Sequence, residues 1–513
     1  MANSVTVGRA QLVFILCLPL AVLLGYLLSD PLDTGNTLLV ALMAGVLSIP
    51  LLMRGYHPAL IFAWNAAITP TFLPGQPFLW VPLAFLGLGF AIVNRFISPD
   101  AKFVSIPAIT KPLVFLGITV LVTALLHGGF GLRSFGSESY GGRNYIYIFA
   151  AIVGYFALVS QPIPLTKANF YVGLFFLTAL TALIPNLVYL GGRSWYFLYY
   201  LFPPVYAVEQ AMGDSALDPL IVRILGLSAV ATALLCWLLA RYGLRRVLSV
   251  RKPWPLLVFL TALTAGVFCG FRSILGIFML TLTVQFFLEG MFRARAMLLG
   301  LACLLVAGII IIPNTDKLPL VVQRSISFLP VPLSPVVEQS AGGSTLWRLE
   351  MWKELLPEVP KYLIKGKGFG LDPTDIAFAA KFNRSVIGYD LAITVGDYHS
   401  GPLSLIIPLG IWGVIGFVWF LASSLKYLYR QYRRGAPELQ SINTFLLAYF
   451  ITRLVSFLFV AGSFFSDLFV FTGLIGLSVS LNGAALPQPE EAKVEPEAEE
   501  LAYQEHLASQ RAR

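Results

Sequence analysis

The feature that most constrains this chain is the recurrence of apolar stretches long enough to cross a lipid bilayer. Residues 253–271 read PWPLLVFLTALTAGVFCGF, without a charged side chain. Runs of the same character lie near 10–28, 36–53, 58–73, 77–94, 112–127, 144–160, 168–190, 221–240, 254–270, 273–290, 296–313, 401–421, 443–461 and 464–484. A helical crossing takes about 20 apolar residues, and an open chain in hydrocarbon satisfies its backbone hydrogen bonds only as helix. The expected fold class is therefore all-α, a polytopic transmembrane bundle of about fourteen helices. Composition decides what this excludes. Of 513 residues 57% are hydrophobic and only 12% charged, against about 25% charged in a soluble domain. A soluble enzyme, a secreted disulfide scaffold and a nucleic-acid-binding module are all excluded.

Basic residues set the expected orientation, because lysine and arginine gather in cytoplasmic loops. With the N-terminus inside, the inward loops hold Arg54, then Arg95, Lys102 and Lys111, then Lys167. They continue with Arg241, Arg245, Arg246, Arg251 and Lys252, then Arg293 and Arg295, then Lys426, Arg430, Arg433 and Arg434. The short outward loops carry Arg133, Arg143, Arg193 and Arg272, with Arg223 at a helix edge. The net charge of +9 is thus read first as an insertion signal and only then as a sign of an acidic partner.

On this reading residues 1–313 hold transmembrane helices 1–11, and residues 314–400 form one large extracytoplasmic loop with an amphipathic helix. Residues 401–486 hold helices 12–14, and both termini are cytoplasmic. The tail 487–513 is Glu-rich and proline-punctuated, a composition that suits a solvated, disordered segment. The first run follows Arg9 and has no small-residue cleavage site after it, so it reads as a retained helix. Cys17, Cys236, Cys269 and Cys303 sit in or beside apolar runs without metal-ligand spacing and read as small apolar fillers.

Several residues are out of place in so apolar a chain. Arg272, in CGFRS, lies between two apolar runs with no room for a solvated loop, and a charge so close to hydrocarbon is costly unless it is paired or functional. On the outer face the natural ligand of such an arginine is a phosphate or diphosphate. Arg133 and Arg143 flank the Gly-rich loop on the same face and either add to that site or are ordinary loop arginines. In the large loop, Ser344 is a candidate N-cap for STLWRLEMWKELLPEV. Trp347, Met351 and Leu355, with Trp352 and Leu356, give that helix an aromatic face to lay on the membrane or on the bundle. Arg348 shares the side of Trp352, either as part of a site or as a snorkelling arginine.

The segment GKGFG follows, and Gly366, Gly368 and Gly370 suit either a tight turn or the close approach of backbone N–H groups to an anion. His399 stands just before Gly401, Pro402 and the twelfth run. A histidine there either anchors the helix end or accepts a proton from a hydroxyl nucleophile, and Asp397 is near enough in sequence to orient it. Arg453 lies inside the thirteenth run and Asp467 begins the fourteenth. They are expected to form a structural ion pair, with substrate contact as the other reading.

Arg272 in a short outer turn, WRLEMW in a large outer loop, GKGFG after it and His399 opening the next helix together resemble the O-antigen ligase and O-antigen polymerase superfamily of bacterial membrane glycosyltransferases. That pattern is an arginine in a short outer turn, then R-x-x-x-W, a G-x-G segment and a histidine. Here it falls on Arg272, on Arg348 with Trp352, on Gly368 with Gly370, and on His399, over residues of about 250 to 420. The resemblance implies a GT-C-like fold in the bacterial cytoplasmic membrane, with the active site on the extracytoplasmic face. It implies a glycan donor carried on undecaprenyl diphosphate and transferred en bloc to the hydroxyl of a glycan or lipid acceptor. Membrane lipids and other polysaccharide-assembly proteins are the further partners it suggests, and nucleic acid is not one. No cofactor and no metal are implied, because arginines take a cation's place on the diphosphate.

By the same resemblance Arg272, Arg348 and His399 are the expected catalytic residues. Arg133, Arg143, Trp352, Gly368, Gly370 and Asp397 are the expected substrate-binding ones. The helix count and the Glu-rich tail depart from the ligase pattern, which leaves room for a capsule or exopolysaccharide polymerase. The reading from a different class is a polysaccharide or lipid-linked-sugar transporter or flippase. Its mark is interrupted helices with polar residues near the middle of the membrane, for which Asn65, Asn186 and the Arg453–Asp467 pair are the candidates.

Overall fold

The structure, a computed structural model, describes residues 18–19, 21–23, 25–26, 34–71, 73, 75–97, 103–129, 141–215, 221–249, 253–292, 308–309, 312–371, 396 and 398–483. Arg133, Asp397, most of the runs at 10–28 and 296–313, and the tail 487–513 lie outside them. The chain divides into two compact units, Met1–Tyr56 and His57–Arg513. The site lies wholly in the second.

The described residues are helical, without a strand. In chain order the helices are α1 (Thr34–Asn65), α2 (Trp80–Ile97), α3 (Pro107–His127), α4 (Gly142–Leu158), α5 (Ala168–Leu177) and α6 (Ile184–Gly191). There follow α7 (Val205–Ser215), α8 (Leu225–Val247), α9 (Pro253–Phe268), α10 (Arg272–Leu288) and α11 (Leu320–Ser325). The last are α12 (Pro335–Leu355), α13 (Val359–Tyr362), α14 (Gly401–Arg434), α15 (Gln440–Phe459) and α16 (Phe464–Asn482). Seven spans among the described residues are long and apolar enough to cross a membrane: α2, α3, α5 joined to α6, α8, α14, α15 and α16. Helices α9 and α10 are shorter and also apolar.

Helix α16 lies deepest, with 78% of its span buried, whereas α2 has 28% buried and presents Phe85, Ile92 and Phe96 outward. Around α16 one continuous core is filled by Trp64, Tyr145, Phe417, Phe450, Phe464 and Phe471. Helix α4 packs between α2 and α16, α14 packs on α3 and α15, and α8 packs on α9 and α15.

Two boundaries differ from the sequence reading. The runs at 36–53 and 58–73 share the single helix α1, so Arg54 lies within helix rather than in a loop. The helix stops at Asn65, ahead of Pro70. Ala67 N–H then donates to Thr181 Oγ1 at 2.9 Å and Thr69 N–H to the Leu201 carbonyl at 2.7 Å. In the large loop Ser344 is not an N-cap. Helix α12 starts at Pro335, and Ser334 caps it by accepting from Val337 N–H. Proline suits the first helical position, so the helix begins there and carries Ser344 into its middle.

Helix α14 is interrupted at Gly410, whose φ is +64°, with Pro408 just before it. The segment after α13 closes the gap. Ile411 N–H donates to the Leu363 carbonyl at 2.7 Å, while Lys367 N–H and Gly368 N–H donate to the carbonyls of Ile407 (2.8 Å) and Pro408 (2.9 Å). Backbone freed by the break is thereby satisfied within the protein, as hydrocarbon requires.

Candidate functional site: an arginine-lined cavity

The turn between α9 and α10 is made tight by Gly270, whose φ of +79° favours glycine. It delivers Arg272 as the first residue of α10. The guanidinium reaches across to α12, where Nη2 donates to Ser344 Oγ at 3.0 Å and to Thr345 Oγ1 at 2.8 Å. Both hydroxyls give their own protons to the Ala341 carbonyl, which leaves their oxygens free to accept. One turn further along α12, Arg348 and then Trp352 share the same face.

These residues enclose a cavity of about 520 Å³. Two arginines not expected at the site complete it: Arg223, at the approach to α8, and Arg324, from α11. Arg324 donates from Nη1 to Ser340 Oγ, and the Arg223 guanidinium lies 5.6 Å from the centre of the Phe271 ring. Four half-buried arginines thus face one space, and no carboxylate lines it among the described residues. A cation in the first turn of α10 is set against the positive end of the helix dipole, a placement that an anion in the cavity makes favourable. Arg223 and Arg324 each interrupt an apolar neighbourhood, and that interruption is the sequence signal that marks them.

His399 stands beside this cavity rather than in its wall. Its ring centre is 5.4 Å from that of Trp347, and Trp352 Nε1–H donates to the Tyr398 carbonyl at 2.8 Å. Met351, Leu355, Tyr398, Leu403 and Ile407 form a small separate core, so the apolar face of α12 packs on the start of α14 rather than lying free on a membrane. Burial pushes the Tyr398 phenol up, and it stays protonated. His399 itself has a φ of +46°, a left-handed conformation that costs a non-glycine residue about 1–2 kcal/mol.

Other expected site residues lie elsewhere. Gly368 and Gly370 pack against the end of α3 at His127 and Gly128, and Phe369 N–H donates to Tyr145 Oη at 2.9 Å. With the N–H groups of Lys367, Gly368 and Phe369 all directed at protein acceptors, these glycines serve close packing and do not face the arginine cavity. Arg143 opens α4 and lines a second, aromatic cavity, where its Nη2 donates to Tyr147 Oη at 3.3 Å. Arg453 and Asp467 form an ion pair at 2.6 Å, and Asp467 also accepts from Ser463 N–H at 2.9 Å. This fixes the turn between α15 and α16. Asn186 binds the Tyr206 carbonyl, Gln210 and Gly226 N–H, and Asn65 donates to the Phe175 carbonyl.

The fold and site define an all-helical chain with several membrane-spanning candidates and a cationic cavity beside a histidine. No family model matches the chain, and no curated protein matches it.

Proposed function

We propose that this protein is a membrane glycosyltransferase that moves a glycan en bloc from a polyprenyl diphosphate to an acceptor hydroxyl during cell-surface polysaccharide assembly. The observation that carries this reading is the convergence of Arg223, Arg272, Arg324 and Arg348 on one cavity without a carboxylate among the described residues of its wall. Such a cavity suits a diphosphate, whose charge arginine forks meet in bidentate fashion. In the reaction the acceptor oxygen attacks the anomeric carbon while His399 takes the hydroxyl proton. The bond from that carbon to the diphosphate oxygen breaks, and the leaving lipid diphosphate keeps the electron pair. Arg272 and Arg348 stabilise the charge that grows there. The GT-C-like fold, a cytoplasmic-membrane location and an extracytoplasmic active site belong to the same proposal.

The transporter reading is weaker, because the break in α14 at Gly410 is filled by backbone from residues 363–368 and leaves no open ion site of the kind that interrupted transporter helices build. Mass spectrometry of the polyprenyl-diphosphate-linked glycans in cells carrying Arg272→Gln tests the proposal. Accumulation of single-repeat units is expected of a polymerase, and accumulation of long lipid-linked chains of a ligase. An unchanged pool, with the variant stably present in the membrane, overturns it.

A further inference from the structure

The turn between α15 and α16 separates two cavities of opposite chemistry. On one side Phe459 and Val460 belong to the arginine cavity. On the other, Phe465, Ser466 and Phe469 line a cavity of about 590 Å³, within the range of roughly 300–1,000 Å³ for small-molecule sites. The partition is firmly held. Arg453 and Asp467 fasten it from below, Phe464 N–H donates to Ser404 Oγ at 2.9 Å, and the Gly401 backbone presses so close to Phe457 that a Cβ on Gly401 would lie 2.2 Å from its carbonyl oxygen.

The second cavity is aromatic and nearly neutral. Trp80 lies edge-on to Tyr147 at 5.6 Å and against Phe469 at 4.5 Å, and Phe78 lies edge-on to Tyr147 at 6.5 Å. Arg143, the one charge among the described residues of its wall, rests 5.3 Å from the centre of the Tyr147 ring. Several polar groups in its wall keep hydrogen-bonding capacity in hand. Tyr147 Oη accepts from Phe78 N–H and from Arg143, so its own proton remains to be given. Asn65 uses its amide N–H on the Phe175 carbonyl, and its oxygen accepts from no described residue. The Asn144 carboxamide, with two donors and an acceptor, makes no side-chain hydrogen bond among the described residues. Ser466, exposed at the rim, donates to the Ser463 carbonyl and can still accept.

Flat apolar faces edged by amide and hydroxyl groups match the two surfaces of a sugar ring, whose C–H face is apolar and whose rim carries hydroxyls. We propose that this aromatic cavity is a saccharide site, which holds uncharged sugar rings on the far side of the α15–α16 turn from the diphosphate. The inference rests on the glycosyl-transfer reading for its place in the reaction and on its own wall for its chemistry. The sugar belongs either to the acceptor or to the glycan of the donor, and the two sources are separable.

The test is saturation-transfer NMR on the full chain in nanodiscs. The probe is the host cell's own surface polysaccharide, released from lipid and freed of phosphate. Ring C–H protons are expected to receive saturation from the unmutated protein and from Arg272→Gln. Asn144→Ala, and Ser466→Trp, which fills the cavity from an exposed position, are expected to bind about tenfold more weakly. An absence of transfer in the unmutated protein, or equal transfer in both cavity variants, overturns the inference. In a reconstituted assay, a KM raised only for the acceptor in Asn144→Ala assigns the sugar to the acceptor, and a KM raised only for the lipid-linked donor assigns it to the donor. If neither KM moves, the inference fails while the diphosphate reading stands. If Arg272→Gln leaves the lipid-linked pool unchanged and the oligosaccharide still binds, glycosyl transfer fails and the saccharide site stands.

Discussion

Trp352 donates its indole N–H to the carbonyl of Tyr398 at 2.8 Å and so ties the helix that carries Arg348 to the residue that precedes His399. The two are 46 residues apart in sequence, and Trp347 closes the same junction by lying against the His399 ring. The tryptophans of WRLEMW therefore do two things at once. They cover the small core around Met351, Tyr398 and Ile407, and they hold a candidate base at the edge of a cavity walled by arginines.

Trp352→Phe should separate those two contributions. The ring body remains and the donor is lost, which costs about 0.5–1.5 kcal/mol for a single neutral hydrogen bond. A small drop in thermal stability in detergent is expected, with donor affinity unchanged and turnover reduced because His399 is less well held. Unchanged turnover would mean that the Tyr398 carbonyl does not govern where the imidazole sits.

His399 offers a sharper separation, because its backbone is strained at φ +46°. Glycine adopts that conformation freely, so His399→Gly should be at least as stable as the unmutated protein, with a gain of up to about 1 kcal/mol. His399→Ala keeps the strain and should be less stable than the glycine variant. If the imidazole accepts the acceptor's proton, both variants lose transfer to a similar degree despite their different stabilities. Thermal unfolding and a transfer assay on the same preparations check this, and a glycine variant that retains transfer would falsify the catalytic role.

The Arg453–Asp467 pair sits where the side chains are 21% and 7% exposed. Removing one partner strands the other charge, and such truncations cost about 3–5 kcal/mol. Arg453→Met and Asp467→Asn should each lower stability strongly, with Asp467→Asn also weakening the bond to Ser463 N–H. The double variant Arg453→Met with Asp467→Leu should recover part of the loss, since a buried pair replaced as a whole is often near neutral. Thermal denaturation of the three variants in one detergent decides it. Additive losses would mean that the pair is not coupled.

Much of this arrangement is legible in the sequence, and for different reasons in different places. The apolar run at 464–484 becomes α16 nearly residue for residue, because hydrocarbon leaves a long apolar stretch one way to satisfy its backbone. Arg453 and Asp467 pair as their positions inside one apolar run and at the start of the next suggest. Arg272, Arg348 and Trp352 do come together, because charges and aromatics stand out in so apolar a chain. What the sequence does not disclose is how backbone segments distant in sequence meet. The glycines of GKGFG look like an anion cradle, yet Gly366 exists because a Cβ there would lie 2.3 Å from the Pro408 carbonyl oxygen, a meeting set by the break in α14. The start of α12 is likewise hidden, because Ser344 reads as a helix beginning and only the tertiary position of Arg272 gives that serine another use. The aromatic cavity is assembled from α2, α4, α7, α16 and the end of α1, and no local pattern announces it.

Arg272→Lys asks whether charge alone suffices in the arginine cavity. The guanidinium bonds both Ser344 and Thr345 through one nitrogen and so keeps its remaining N–H groups for a ligand. An ammonium on a flexible stem is a point charge with three donors, and holding both hydroxyls would leave it little to offer a diphosphate. The fold should tolerate the change, because the position is half-buried at the end of a helix. Donor binding should survive in part through Arg223, Arg324 and Arg348. Turnover should fall by about 10²–10³, the usual cost of losing one pre-organised donor to a charge that develops in the transition state. Steady-state rates against donor concentration check this. A lysine variant with unchanged kcat and a raised KM would assign Arg272 to donor binding alone and move transition-state stabilisation to the other three arginines.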